Sequence, residues 1–436
     1  DVVIVDIDNT SVAPVEEGGL GHYFDWPQAY HGRLINTVTS GNPAALIFDI
    51  IFDKENTFNY DLVNALNDEN APKNEALVDV TGQFLASNDP DIFLETTYNS
   101  QKTYHALVFE QEDTLNFLPK MDTEPEGYYF ENHIIHGLSK EAKSKLPQAD
   151  RLGNTYVNLL SASVGAGSAN FPQDEDGVIR RSPTAIYFEG PDHVYPSLVM
   201  SAAIDILGIK KDGGFDYDFE NNVLRLIDTT DSVIREIPID DHGRMYVNYY
   251  GPFQTFYYLP YMYCFDPEML PPEYWEGKVA FVGASLPGLM DLRNTPVQET
   301  FAGVEIHANV MQSLLKGEFV QPKNRSETLL IIIVICVLLG ALVSLPEKPL
   351  YTLPVPLVGI VAWILFTYSQ FFSSLIMWEI VRPSLAMMGT YGSIFLYNFL
   401  IVEKDKRFLK DTFGAYISPE LIDQMFDSKE EPSLGG

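Results

Sequence analysis

The chain has 436 residues, enough for two or three domains, and carries 60 acidic against 28 basic side chains, a formal charge of −32. Nearly all of that charge falls on residues 1–326, and a surface so acidic repels nucleic acid and anionic lipid, which excludes both as partners of this part. A highly soluble surface explains the acidity better than a specific cation-binding role does.

The chain opens on Asp1-Val-Val-Ile-Val-Asp, which reads as a strand and not as an initiator methionine or a leader, so a further segment upstream is expected. Apolar strands then alternate with helical stretches, the pattern of an α/β sheet. Residues 2–7 read as a buried strand, 28–40 as a helix closed by Gly41, and 45–52 as a second strand. Helical stretches follow at 60–66 and 75–86, then strands at 92–97, 103–109, 155–160 and 178–186. The insert at 119–150 reads as polar loop. Residues 196–207 form a helix, and 223–227, 233–237 and 245–249 an antiparallel meander. A strong strand at 278–283 precedes a helix at 304–315 closed by Gly317.

Ligands of open α/β sheets bind beyond the carboxyl ends of strands. Asp6 and Asp8 end the first strand, Asp49 and Asp53 flank the end of the second, and Asp291 follows Gly283-Ala-Ser. Carboxylates converging there suit a hard cation or an amine, with Arg181 and His307 as neighbours. The alternative is that each caps a turn or pairs with Arg180, Arg181 or His307. Gly283-Ala-Ser-Leu-Pro-Gly lacks a P-loop lysine and is read as a turn. The histidines show no metal-ligand spacing, and no Ser-His-Asp order stands out, so neither a metal, a cofactor nor catalysis is assigned to these residues. Cys336 lies in an apolar run, so a disulfide with Cys264 is not expected.

Three uncharged stretches follow, at about 328–346, 350–372 and 383–402, each approaching the ~20 residues that cross a bilayer. The first contains Leu329-Leu-Ile-Ile-Ile-Val-Ile-Cys-Val-Leu-Leu-Gly. Trp378, Tyr391 and Tyr397 are candidate interfacial anchors. Three spans place residues 1–326 and the tail on opposite faces of a lipid bilayer. Lys348, Lys404, Lys406, Arg407 and Lys410 on one side narrowly outweigh Lys316, Lys323, Arg325 and Arg382 on the other, which puts the tail inside. The acidic domain is then outside, in a bacterial plasma membrane, and a fourth helix is expected before Asp1.

Phe399, Val402, Lys406, Leu409, Phe413 and Tyr416 recur at alternating spacings of three and four, a heptad seam leading out of the last apolar run. Ser418-Pro419 stops it and starts a new helix. The seam suits a parallel homodimer; the alternative is a single helix lying on the membrane.

Several of these segments resemble a known family. Val3-Ile-Val-Asp-Ile-Asp-Asn, Trp26-Pro and Ala45-Leu-Ile-Phe-Asp-Ile-Ile-Phe are similar to the opening of the second class of CHASE-type extracellular sensors. Asp176-Gly-Val-Ile-Arg-Arg and Pro196-Ser-Leu resemble its central block. Gly277-Lys-Val-Ala-Phe-Val-Gly-Ala-Ser, Thr295-Pro and Gly303-Val-Glu-Ile-His-Ala-Asn resemble its closing motif. The resemblance covers residues 1–320 and implies a sensor with one helix before it and three after, with an undefined extracytoplasmic ligand. Phe413-Gly-Ala-Tyr-Ile-Ser-Pro-Glu-Leu-Ile resembles the segment ahead of class III adenylate and guanylate cyclase domains, and Ser433-Leu-Gly-Gly the first residues of such a domain. It implies a receptor cyclase that uses ATP or GTP with Mg or Mn, whose catalytic residues lie beyond this sequence. A sensor histidine or protein kinase with the same sensor, and a non-enzymatic ligand-binding anchor, are the alternatives.

Overall fold

A computed structural model describes residues 1–54, 82, 89, 91–110, 133–286, 292–344, 352–398, 400, 404 and 408. The chain divides into two compact units, Asp1–Val320 and Gln321–Gly436.

The first unit is a mixed α/β domain. It begins with β1 (Val2–Ile7), α1 (Ala29–Thr39), β2 (Ala45–Phe48), α2 (Asp91–Ser100) and β3 (Thr103–Glu110). A middle region holds α3 (Lys140–Lys145), β4 (Gln148–Ala149), β5 (Arg151–Asn154), α4 (Val157–Ala162), β6 (Gly165–Ser168), β7 (Arg181–Pro183), β8 (Ala185–Phe188) and β9 (His193–Pro196). After α5 (Leu198–Leu207) come β10 (Phe215–Asp218), β11 (Val223–Ile227), β12 (Val233–Pro238), β13 (Arg244–Tyr246), β14 (Tyr257–Pro260), β15 (Val279–Ala284) and α6 (Gly303–Lys316).

The main sheet runs β14-β1-β15-β2-β3, all parallel, and the far edge of β3 takes β6 in parallel and β5 antiparallel. Every residue of β1 and β2 is buried, as parallel strands covered on both faces require. The pleat sorts their side chains. Val2, Ile4, Ile47 and Phe281 join a core that includes residues of α5 and α6. Val3, Val5, Leu46, Phe48 and Val282 join a second core with Leu34 and Ile35 of α1 and Phe93 of α2.

Several readings from the sequence are corrected. Residues 92–97 lie in α2, because the buried Phe93, Thr96 and Thr97 recur at helical spacing despite a strand-like composition. Residues 155–160 do not make a strand. Tyr156 N donates to Phe52 O at 2.7 Å and the chain then coils into α4, burying Leu159 and Leu160. The stretch read as one strand at 178–186 is divided into β7 and β8. β13 pairs with β7 and meets the chain just beyond β12 only through an antiparallel bridge between Ile239 and Met245, and the third strand beside β11 and β12 is β10. The insert read as loop includes α3, whose Ser139 caps it by accepting from Ala142 N. The helices read at 60–66 and 75–86 fall outside the described residues, apart from Gly82. Both cysteines are free.

The second unit contains α7 (Arg325–Ser344), α8 (Pro354–Ser374) and α9 (Val381–Tyr397). The 20 residues of α7 and 21 of α8 are long and apolar enough to cross a membrane, whereas the third apolar run gives the 17-residue α9. Leu339, Val343, Trp363 and Met387 pack between the three helices, while Leu330, Ile333, Val337, Leu357, Val358 and Leu365 face outward. All six positions of the heptad seam, Phe399, Val402, Lys406, Leu409, Phe413 and Tyr416, lie outside the described residues.

Candidate functional site at the carboxyl end of the sheet

β1, β15 and β2 end side by side, so their last polar side chains emerge at one edge of the domain. Asp6 is 4% exposed and sits level with Gly283 on the neighbouring strand. Its carboxylate accepts Ser285 N–H at 2.8 Å and Ser285 Oγ–H at 2.6 Å. Burial nevertheless holds its pKa up to about 6, against the pull of both Ser285 hydrogen bonds and with a small push from Asp8. Asp8 caps the following turn, accepting from Ser11 N at 2.8 Å and Ser11 Oγ at 2.6 Å.

Asp49 continues from β2. Its N–H donates to Val282 O at 2.9 Å, and its Oδ1 lies 3.5 Å from His307 Nε2. That histidine is buried between Phe171, at 4.4 Å, and Phe281, on which it stacks at 6.3 Å. Asp6 and Asp49 thus stand on either side of β15, two strand spacings or ~10 Å apart along the sheet. Arg181 lies elsewhere: it pairs with Asp240 at 3.3 Å and Asp174 at 3.7 Å, over the Tyr246 ring. Asp291 lies outside the described residues. Among the described residues no three His, Cys, Asp or Glu side chains gather closely enough to hold a metal ion. Each aspartate has a local partner: a serine for Asp6, a turn for Asp8 and a histidine for Asp49.

A heavily engaged buried carboxylate was not singled out from the sequence. Glu305, fully buried in the first turn of α6, accepts from Gln254 N and Thr255 N at 2.9 Å, Phe256 N at 3.4 Å and Tyr258 Oη at 2.9 Å. One turn on, Asn309 donates to Glu305 O at 2.7 Å and accepts from Tyr250 N at 2.9 Å. Residues 250–258 are therefore pinned to α6. Burial raises the Glu305 pKa against these hydrogen bonds, and the Tyr258 hydroxyl is held well above its ordinary range by burial, Glu305 and Asp6. The available signal was the i, i+4 spacing of Glu305 and Asn309 among the apolar residues Val304, Ile306, Ala308 and Val310.

Glycine lets α6 come this close. A Cβ on Gly283 would lie 2.7 Å from Val304 Cβ. The motif Gly303-Val-Glu-Ile-His-Ala-Asn thus places Val304 against β15, Glu305 and Asn309 on a loop, and His307 beside Asp49.

The model of the CHASE2 domain family matches residues 1–342. The chain belongs to the CHASE2 family. CHASE2 is an extracellular sensor domain of signalling receptors. No curated protein and no solved structure matches the chain. In this CHASE2 domain the strand ends gather the hydrogen-bonding groups Asp6, Ser285, Tyr258, Asp49 and His307, with burial raising the Asp6 carboxyl to about 6. A separate small cleft, with room for about one water, is lined by His133, Gly165, Ser201, Asp205 and Lys211, with Tyr104 Oη donating to Asp205 at 2.9 Å.

Proposed function

We propose that this CHASE2 chain is the sensory and membrane portion of a receptor nucleotide cyclase. The parent turns ATP into cyclic AMP and pyrophosphate with Mg²⁺ or Mn²⁺ in a catalytic domain following residue 436. The observation that carries this is the order of parts. A CHASE2 domain runs directly into α7 and α8, and the tail then carries Phe413-Gly-Ala-Tyr-Ile-Ser-Pro-Glu-Leu-Ile, the segment that resembles the lead into class III cyclases. In this reading the sensor faces outward from a bacterial plasma membrane and its polar strand-end edge takes the extracytoplasmic ligand. Lys404, Lys406, Arg407 and Lys410 hold the tail at the cytoplasmic face. Two tails pair through Phe399, Val402, Leu409, Phe413 and Tyr416, with Lys406 setting the register, so that a change in the sensor alters the interface where a cyclase site assembles.

Membranes carrying the full-length parent, given ATP and Mg²⁺, should form cyclic AMP. Formation of a phosphohistidine or phosphoprotein with no cyclic nucleotide would replace this reading with a sensor kinase.

A further inference from the structure

The core between the sheet and the helices α1 and α2 holds two histidines in an aromatic box. His105 of β3 is 0% exposed and stacks on Phe48 of β2 at 5.0 Å with an 11° tilt. Phe52 and Phe93 close on it edge-on, each at 6.0 Å. Both its ring nitrogens are buried without a hydrogen-bond partner among the described residues. His31 of α1 faces the same three phenylalanines, at 6.1 Å from Phe48, 4.9 Å from Phe52 and 5.4 Å from Phe93, and its Nδ1 shares a 2.8 Å hydrogen bond with Tyr261 Oη.

The walls offer no counter-charge among the described residues. β2 and the turn after it contribute Phe48 and Phe52, and the following Asp53 and Lys54 are exposed. α2 contributes Phe93, Thr96 and Thr97, while its acids Asp91 and Glu95 are exposed. The segment after β14 brings Tyr261 and the buried Cys264. The titratable groups felt by His105 are His31 and His133, and His133 in turn feels Lys211. A proton on either imidazole of the box would be a charge facing aromatic carbon and other bases.

We propose that the His31–His105 box is an acid-triggered latch of the sensor, and that protons are a stimulus it reads. The layer of α1, α2, β2 and β3 stays shut while both rings are neutral. It opens when acid in the compartment supplies protons that only the opened layer can accept. Burial is the main cause of the depressed basicity of both rings, whose pKa values fall from 6.5 to about 3, with His31 and His133 adding to the effect on His105. For a folded pKa below the unfolded one, the open form binds more protons in acid. The closed layer therefore loses stability as pH drops below about 6.5 and continues to lose it towards about 3. This deepens the sensor reading and rests on it.

The test is hydrogen exchange by the full chain in lipid nanodiscs at pH 7.5 and 5.0, corrected for intrinsic exchange rates. Peptides from α1 and β3 should open on the order of 30-fold more in acid for each histidine that titrates on opening. H105F keeps the stack on Phe48 and should cut that acid-driven rise roughly 30-fold, leaving protection at pH 7.5 intact. H31Q, which can still meet Tyr261 Oη, should do the same and serves if H105F does not accumulate. Equal opening at the two pH values in the unmodified chain, or an undiminished rise in the variants, overturns the latch. Neither result touches the sensor reading. That falls if catalytic output of the parent is unchanged when residues 1–320 are removed.

Discussion

Glu305 is fully buried, yet four donors converge on its carboxylate, three of them backbone N–H groups of residues 254–256. Replacing it by Gln turns an amide NH₂ towards a backbone N–H, which can only donate, whichever oxygen it replaces. E305Q should lose about 2–4 kcal/mol, the cost of stranding buried donors, read from the midpoint of urea unfolding. Asp6 shows the opposite balance, since two hydrogen bonds from Ser285 do not offset its burial. Its folded pKa, raised from 3.8 to about 6, contributes stability that is complete below about 3.8 and is lost as pH rises through about 6. D6N should therefore flatten that part of the stability–pH curve, gaining up to about 3 kcal/mol over the unmodified chain above pH 6. An unchanged slope between pH 4 and 6 in D6N would assign the dependence to another group.

Between elements, α6 lies close against β15 at Gly283. G283A adds a Cβ 2.7 Å from Val304 Cβ, with rigid backbone on one side and a branched side chain on the other. The helix must shift, and an overpacking cost of about 1–3 kcal/mol is expected, seen as a lowered Tm. If G283A melts with the unmodified chain, α6 is not held where Glu305 and His307 need it. The core strands at 2–7 and 278–283 were legible from their unbroken apolar runs, and α6 from its period and closing Gly317. Residues 92–97 misled because β-branched and aromatic side chains favour strands locally, while packing against α1 decided for a helix. β13 was placed in the wrong sheet because its partner β7 lies some sixty residues earlier, and no local pattern encodes pairing at that distance. The sheet-end location of Asp6 and Asp49 was readable from strand order; that each finds its own partner depends on Ser285 and His307 arriving from distant segments.

At the scale of the whole molecule, the reading as a multi-pass receptor makes two predictions. Protease added outside intact cells should remove residues 1–326 and spare the tail; protection of the acidic domain would reverse the orientation. In the full-length parent, inserting four residues before Ser418 should disturb basal cyclic nucleotide output far more than inserting seven, because only seven restores the heptad phase. Equal outputs would make the connector a plain tether.

The course of α6 gives the CHASE2 domain a mechanical character. Val304 meets β15 at Gly283 and His307 meets it at Phe281, so the helix runs back against the direction of the strands. At 14 residues it is a rod about 21 Å long, gripped at its start by the loop that Glu305 and Asn309 hold. It has no break before Gly317, where a left-handed residue (φ 71°) turns the chain four residues short of Gln321. If α6 carries a movement from the polar edge, Gly317 is where it would leave the helix, and G317P, which cannot take that left-handed angle, should abolish regulation while leaving ligand recognition at the far end intact. Binding that survives in G317P while regulation of the parent is lost would identify α6 as the push-rod; regulation that persists would place the linkage elsewhere.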